Sequence, residues 1–113
     1  AHNMVVVRGT ITSPPTVRVL RSGDVVTNLE VTSRSAALTA SVPVVVERAV
    51  DDLAAGDEIV VVGHVRRRFF RSGGTTQSRT EVVATSSVPV RQRRRAARSL
   101  EAAMATLAAT LLE

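Results

Sequence analysis

Arginine and phenylalanine side chains stand together in one short stretch of the sequence, which reads R-R-R-F-F-R from Arg66 to Arg71. A guanidinium group can bind phosphate through two parallel hydrogen bonds, and an aromatic ring can stack on a nucleobase. Because side chains alternate along a strand, Arg66, Arg68 and Phe70 are predicted to share one face. The stretch therefore has the chemistry of a surface that follows single-stranded nucleic acid.

Further arginines are candidates for the same surface: Arg71 and Arg79 on the same predicted hairpin, and Arg18 and Arg8 from earlier strands. A solvated hairpin would explain the arginines alone. The chain's only two aromatic residues stand beside them, however, and this favours a binding role. Phe69 and Phe70 are consecutive and face opposite sides of a strand, so one of them is expected in the core or in an interface.

No arrangement of residues indicates catalysis, a metal site or a cofactor, and none is expected. The absence of cysteine excludes disulfides, thiol nucleophiles and thiolate metal sites. His2 and His64 have no neighbouring ligands at metal-binding spacing. Asp51 and Asp52 are adjacent on a predicted helix and would point in different directions. The chain is therefore predicted not to be an enzyme.

Length and charge suggest one small domain with a polyanionic partner. The 113 residues are 44% hydrophobic and 2% aromatic, which predicts an aliphatic core. Residues 22–63 hold seven acidic residues and two arginines, whereas residues 64–98 hold ten arginines and only Glu81 as an acid. No signal peptide and no membrane-spanning apolar run is recognisable. A cytoplasmic, nucleoid-associated location without a membrane partner is expected.

Hydrophobic alternation and turn residues predict the order strand, strand, strand, short helix, strand, strand. The five predicted strands are residues 4–11, 25–32, 42–46, 59–71 and 79–84, and residues 17–20 are a further extended segment. Turns are predicted at 21–24 and 72–74, a loop at 33–41, and a short helix at 48–55 that ends at Gly56. Gly9 is expected to bend the first strand so that it pairs with two neighbours. Leu29 and Val31 are predicted to face the core.

This order predicts a mainly β fold over residues 1–90, a five-stranded Greek-key barrel of the oligonucleotide-binding (OB) type with a short helix between strands 3 and 4. Residues 91–113 are predicted to form a basic segment and a C-terminal α-helix. That helix carries an apolar seam with the a/d spacing of a coiled coil, formed by Leu100, Met104, Leu107 and Leu111. Because a short isolated helix is unstable, the seam must pack on the barrel or on another copy. We favour another copy, and so a homo-oligomer.

Four motifs, in order and correctly spaced, resemble those of bacterial single-stranded-DNA-binding proteins. They are N-M-V-V-V-R-G at 3–9, P-T-V-R followed by S-G at 15–23, G-D…G…R-x-R at 56–68 and T-E-V-V at 80–83. The resemblance covers about residues 3–88. It implies an OB-fold, sequence-tolerant binding of single-stranded DNA in replication, recombination or repair, and assembly into dimers or tetramers.

The sequence departs from that family where the family stacks bases. It has no tryptophan, and Phe70 stands where the resemblance implies a stacking tryptophan. Val46 and Glu47 stand where another aromatic residue is expected. The family's acidic-tipped tail is replaced by the basic segment and the helix, which suggests a use closer to that of the small primosomal replication protein N.

Two functions stay open at this point. We favour sequence-tolerant binding of single-stranded DNA, with RNA as an alternative ligand and replication or repair proteins as further partners. The second is an OB-fold protein-interaction module of a replisome or other assembly, with weak or no nucleic-acid binding. The missing aromatic residues favour the second function, whereas the R-x-R-x-F strand and the charge asymmetry favour the first.

Overall fold

The computed structural model describes residues 2–112, which form six strands, one α-helix and a short 3-10 turn. The elements are β1 (Val5–Ile11), β2 (Thr16–Val19), β3 (Val25–Arg34), β4 (Thr39–Val46), β5 (Glu58–Ser72), β6 (Thr75–Pro89), α1 (Arg93–Ala109) and η1 (Thr110–Leu112). The predicted mainly β fold with a C-terminal helix is confirmed.

Five of the strands close into a barrel in the order β1-β5-β6-β4-β3, and β3 pairs back to β1. The sixth strand, β2, extends the sheet along the edge of β3. Closure requires β1 to pair with β5 along most of its length and with β3 through Thr10 and Ile11. Gly9 permits this, because a Cβ there would lie 2.5 Å from the carbonyl oxygen of Thr32. The predicted pairing of the first strand with two neighbours is therefore confirmed.

The barrel encloses an aliphatic core, as the composition predicts. Leu29 and Val31 are buried on the inner face of β3, which confirms their predicted orientation. The other buried members are Ile11, Val44, Val46, Val50, Leu53, Ile59, Val61 and Val82. Each such side chain contributes about 1.5–3 kcal/mol when fully buried, so the β-branched runs of β4 and β5 hold the barrel closed.

The predicted short helix at residues 48–55 is wrong, because this segment is an irregular loop. Its backbone groups bond to other parts of the chain instead of to one another. The Thr27 hydroxyl donates to the Arg48 carbonyl at 2.7 Å and accepts from the Val50 amide at 3.0 Å. The Gly56 amide donates to the Ile11 carbonyl. A helix of only eight residues is marginal by itself, so it does not compete with these bonds.

The hairpins are longer than predicted. The predicted loop at residues 33–41 is mostly strand, since β3 runs to Arg34 and β4 begins at Thr39. At the other hairpin, β5 and β6 each have 15 residues and project beyond the barrel as an arm. Gly73 and Gly74 form its turn with φ of 60° and 80°, the pair of positive values that a two-residue turn needs. This turn fixes the register of every residue in the arm.

Helix α1 lies on the outer side of the barrel against β5 and β6. Ala96 is buried there with Val60 and Val88, and Ala103 is buried farther along the helix. These small residues let the helix approach the sheet closely. Within residues 2–112, no helix has the length and apolar character needed to cross a membrane.

Candidate nucleic-acid interface

The arm of β5 and β6 has two faces, and the register places opposite residues on the same face. Arg66 lies opposite Glu81, Arg68 opposite Arg79, and Phe70 opposite Gln77. We call this set of six residues the arm face. It continues the outer surface of the barrel, because Val60 of the same strand alternates outward against the helix. The structure thus brings together four residues proposed from the sequence: Arg66, Arg68, Phe70 and Arg79.

Glu81 lies at the centre of the arm face and binds two of the arginines. Its side chain is only 2% exposed, and its carboxylate accepts from Arg66 Nη2 at 2.6 Å and from Arg68 Nε at 3.3 Å. The two arginines remain 41% and 39% exposed. One carboxylate therefore neutralises one of two guanidinium charges, and both guanidinium groups still reach solvent.

The pKa of the Glu81 carboxyl reflects this competition. Burial raises its pKa by disfavouring the charged form, but the hydrogen bonds and positive charges of Arg66 and Arg68 lower it by more. The net result is a pKa below the ordinary value for glutamate. Glu81 is therefore ionised at neutral pH, and the triad of Glu81, Arg66 and Arg68 carries a net charge of about +1.

Arg66 is not fully satisfied by this arrangement. Its Nε is buried and has no hydrogen-bond partner within the described part of the chain. A small cleft of about 100 Å³ adjoins it, lined by the triad together with Arg18, Leu20, Val26 and Val45. Arg18 of β2 therefore joins the arm face across this cleft, as the sequence proposed. Three arginines around one small cleft make a site suited to an anionic group.

Arg79 is positioned by an acidic side chain as well. Its Nη2 lies 3.9 Å from Glu30 Oε2, at the limit of an ion pair, and both side chains are well exposed. Glu30 is held in turn by the hydroxyl of Ser41, which donates to it at 2.9 Å. An exposed pair at this distance is weak and can exchange for a phosphate oxygen.

The two phenylalanines differ in their surroundings. Phe70 is half-buried on the arm face, with the guanidinium carbon of Arg68 5.1 Å from its ring centre. Phe69 lies on the opposite face, is 67% exposed, and has the Arg67 guanidinium 5.8 Å from its ring centre. Each ring thus carries a cation on one side, within the range of a cation–π contact. Neither phenylalanine lies in the barrel core, so of the two expected places only an interface stays a prediction.

Two of the proposed arginines lie away from the arm face. Arg71 alternates to the opposite face near the tip, where it donates to the Gly74 carbonyl at 2.8 Å. Arg8 lies on the outer side of β1, paired with Glu58 at 3.0 Å, and lines a cleft beside helix α1. The structure therefore does not bring Arg71 or Arg8 together with the other arginines.

The role of Glu81 was missed in the sequence, although a signal for it exists. A two-residue turn at Gly73-Gly74 makes Ser72 and Thr75 partners, and counting outward from them places Glu81 opposite Arg66. The burial of the carboxylate could not be predicted by counting along the hairpin, because it depends on the parallel pairing of β4 with β6. Within residues 2–112 there is no cluster of three or more potential metal-binding side chains.

Comparison with known proteins adds one finding about the fold. The chain is similar in structure to the SSB of Plasmodium falciparum in complex with ssDNA, with a TM-score of 0.65 and 16% sequence identity, over 79% of this chain and 95% of that one. No protein-family model matches the sequence. A search of curated proteins likewise finds no match. At 16% identity the likeness shows a shared OB-type fold.

Proposed function

We propose that this protein binds single-stranded DNA in a sequence-tolerant manner through the arm face. The observation that carries the proposal is the arm face itself, on which Arg66, Arg68 and Arg79 share one surface with a half-buried phenylalanine. Guanidinium groups bind phosphates irrespective of sequence, and a ring stacks on any base. The SSB with the similar fold was solved with ssDNA, which supports the same ligand class. RNA offers the same phosphates and bases and is the alternative ligand.

The test is a titration of fluorescent oligothymidine at two salt concentrations, with duplex DNA and an RNA oligomer of equal length as comparisons. Phe70→Ala should weaken single-strand binding by about 1–3 kcal/mol if one base stacks on the ring. Phe69→Ala is the matched control, because it removes an equal ring from the opposite face of the arm. Equal effects of the two substitutions, or no effect of Phe70→Ala in a folded variant, would show that the arm face is not the binding site.

We further propose that helix α1 assembles copies of the chain into a dimer or tetramer. Of the predicted seam, Leu100 packs in part against the barrel, but Met104, Leu107 and Leu111 are exposed. Met104 is 70% exposed, an unusual state for a large apolar side chain in a row of them. Several barrels on one strand would add their contacts through effective concentration.

The second candidate function is a protein-interaction module with weak or no nucleic-acid binding. The observation that favours it is the pairing of the arm's arginines, since Arg66, Arg68 and Arg79 all contact carboxylates. The exposed apolar row on α1 would then contact a replisome protein or another partner. Flat oligonucleotide titrations, together with a partner that protects this row, would support the second function over the first.

Four further proposals rest on the sequence. The chain acts as a binding protein and not as an enzyme, and it works in the cytoplasm in association with the nucleoid. Its process is replication, recombination or repair, with proteins of those processes as further partners. Its motifs at residues 3–9 and 80–83 suggest kinship with bacterial single-stranded-DNA-binding proteins, and its basic segment a use like that of primosomal replication protein N.

A further inference from the structure

A polar cleft opens where two parallel strands separate. The pairing of β4 with β6 ends at Val46 and Ala84, and the register of β6 shifts at the following residue, Thr85. Beyond that point lies a cleft of about 310 Å³. Its polar lining comes from Arg48, Arg95, Thr85, Ser86 and Ser87. The first arginine belongs to the irregular loop after β4, and the second belongs to the first turn of helix α1.

The arginines of this cleft differ from those of the arm face in their charge balance. Neither Arg48 nor Arg95 pairs with a carboxylate within residues 2–112. Arg95 Nη1 donates to the neutral amide oxygen of Gln92 at 2.9 Å, and Arg48 Nη1 makes a long contact of 3.4 Å to the Ala49 carbonyl. The cleft thus holds two arginines that form no ion pair within residues 2–112, next to three hydroxyl groups.

One of the hydroxyls has no hydrogen-bond partner within residues 2–112 and can be reached from the cleft. Ser87 is 8% exposed, lines the cleft, and makes no side-chain hydrogen bond with any other residue that the structure describes. Its neighbours are satisfied, since Ser86 shares a bond of 2.8 Å with Ser99 and Thr85 donates to the Val62 carbonyl. The Ser87 hydroxyl is therefore free to donate a hydrogen bond to an anion oxygen in the cleft.

The start of helix α1 adds a second reason for an anion. Gln92 at the N-cap makes no side-chain capping bond, and the first turn holds no acidic residue. Arg93, Arg94 and Arg95 stand instead at the positive end of the helix dipole, where cations are unfavourable. A bound anion near this turn would balance both the dipole and the arginines.

We propose that this cleft is a second phosphate-binding site, which takes a backbone phosphate of the strand that leaves the arm face. The inference rests on the proposed function. The distance is suitable, because Thr85 lies four positions after Glu81 on β6, a rise of about 13 Å. Helix α1 also lies on the outer side of β5 and β6, the side that the arm face continues. A strand that leaves the arm face along the outer side of β6 would therefore run toward helix α1, which carries Arg95.

The test compares Arg95→Gln with Arg94→Gln. Arg94 is exposed, stands one residue away in the same helical turn, and lines none of the clefts described above. Each substitution removes one charge from the same turn, so a difference between them reports contact and not general charge. The probes are oligothymidines of about 5 and about 15 nucleotides, near the two ends of the usual site size of an OB-fold. A separate titration with inorganic phosphate follows the amide resonance of Ser87.

We expect Arg95→Gln to weaken binding of the longer oligomer about three- to tenfold relative to Arg94→Gln, and to leave the shorter oligomer unaffected. Arg48→Gln should reproduce this pattern. Equal losses in the Arg94 and Arg95 variants would overturn the inference, and so would a loss that is independent of length. A shift of Ser87 with inorganic phosphate but no length-dependent loss would make the cleft a site for free anions and also overturn it.

Failure of the proposed function has a different signature. If neither oligomer binds to the unmodified protein, both the arm face and the second site are refuted as nucleic-acid sites. If the short oligomer binds and Phe70→Ala weakens it, while Arg95→Gln behaves like Arg94→Gln, only the second site is refuted.

Discussion

Glu81→Gln should lower the stability of the protein while it raises affinity for single-stranded DNA. The substitution keeps the size of the side chain and removes the charge between Arg66 and Arg68. The carboxylate is 2% exposed and makes hydrogen bonds of 2.6 and 3.3 Å to these arginines. It therefore links β6 to β5 at the base of the arm. It also competes with any phosphate for the same guanidinium donors.

The cost in stability follows from the burial. Removing one partner of a fully buried ion pair costs about 3–5 kcal/mol. Here the arginines remain about 40% exposed and can be hydrated, so only the hydrogen bonds to the charged carboxylate are at stake. Such bonds contribute about 1.5–3 kcal/mol. For a domain of this size we expect the melting temperature to fall by roughly 6–12 °C.

The gain in affinity follows from the charge. Without the carboxylate, the triad changes from about +1 to about +2, and both guanidinium groups become available to phosphate. A unit charge at 4 Å in water is worth about 1 kcal/mol, which corresponds to roughly fivefold tighter binding at low salt. The slope of log affinity against log salt should steepen by up to about 0.7, the value for one more phosphate neutralised on a single strand.

The assays are thermal unfolding and oligothymidine titration at two salt concentrations. Glu58→Gln is the matched control, since it makes the same change of charge at an exposed pair with Arg8, away from the arm face. It should change stability by no more than about 1 kcal/mol and leave the salt slope unchanged. Weaker binding in a folded Glu81→Gln variant would refute the competition argument and show that the carboxylate orients the arginines for binding.

The pKa of the Glu81 carboxyl is lower in the folded protein than in the unfolded chain, so ionised Glu81 stabilises the fold above about pH 4.3. This stabilisation is lost as the pH falls through the folded-state pKa of Glu81. In acid unfolding, the Glu81→Gln variant should therefore not show this loss of stability. In the unmodified protein, log affinity for oligothymidine should fall with log salt by about 0.7 per phosphate contacted, and a flat dependence would favour the protein-interaction function. Polar substitution of Leu100, Met104 and Leu107 together should lower the mass in light scattering, whereas unchanged mass with lower stability would mean that α1 serves only its own barrel.

The strands could be predicted because local patterns determine them. Runs of valine and isoleucine mark β4 and the barrel half of β5, and the glycines at 73 and 74 mark the turn of the arm. The orientation of Leu29 and Val31 also followed from simple alternation. In each case the residue types and the tertiary environment favour the same structure, so neighbouring residues were sufficient evidence.

The loop at 48–55 could not be predicted, because its conformation depends on residues distant in sequence. Val50 and Leu53 are spaced as on a helix face, but they enter the core from an irregular backbone. The decisive group is the hydroxyl of Thr27 on β3, which bonds both Arg48 and Val50. The same limit applies to the second cleft, where loop, strand and helix residues meet only after the barrel has closed.

The arm face also explains how a chain without tryptophan could hold a strand. The guanidinium of Arg68 covers one side of the Phe70 ring at 5.1 Å, so a base could stack on the other side of the ring. Arginine is itself planar and stacks on rings, so the pair offers stacking and charge in one unit. The phenylalanine ring offers a smaller stacking area than an indole, so contacts to phosphates must make up the difference in binding free energy. Single-strand binding by this surface should therefore be more sensitive to salt than to base identity, and Arg68→Ala should reduce both the stacking and the ionic contribution.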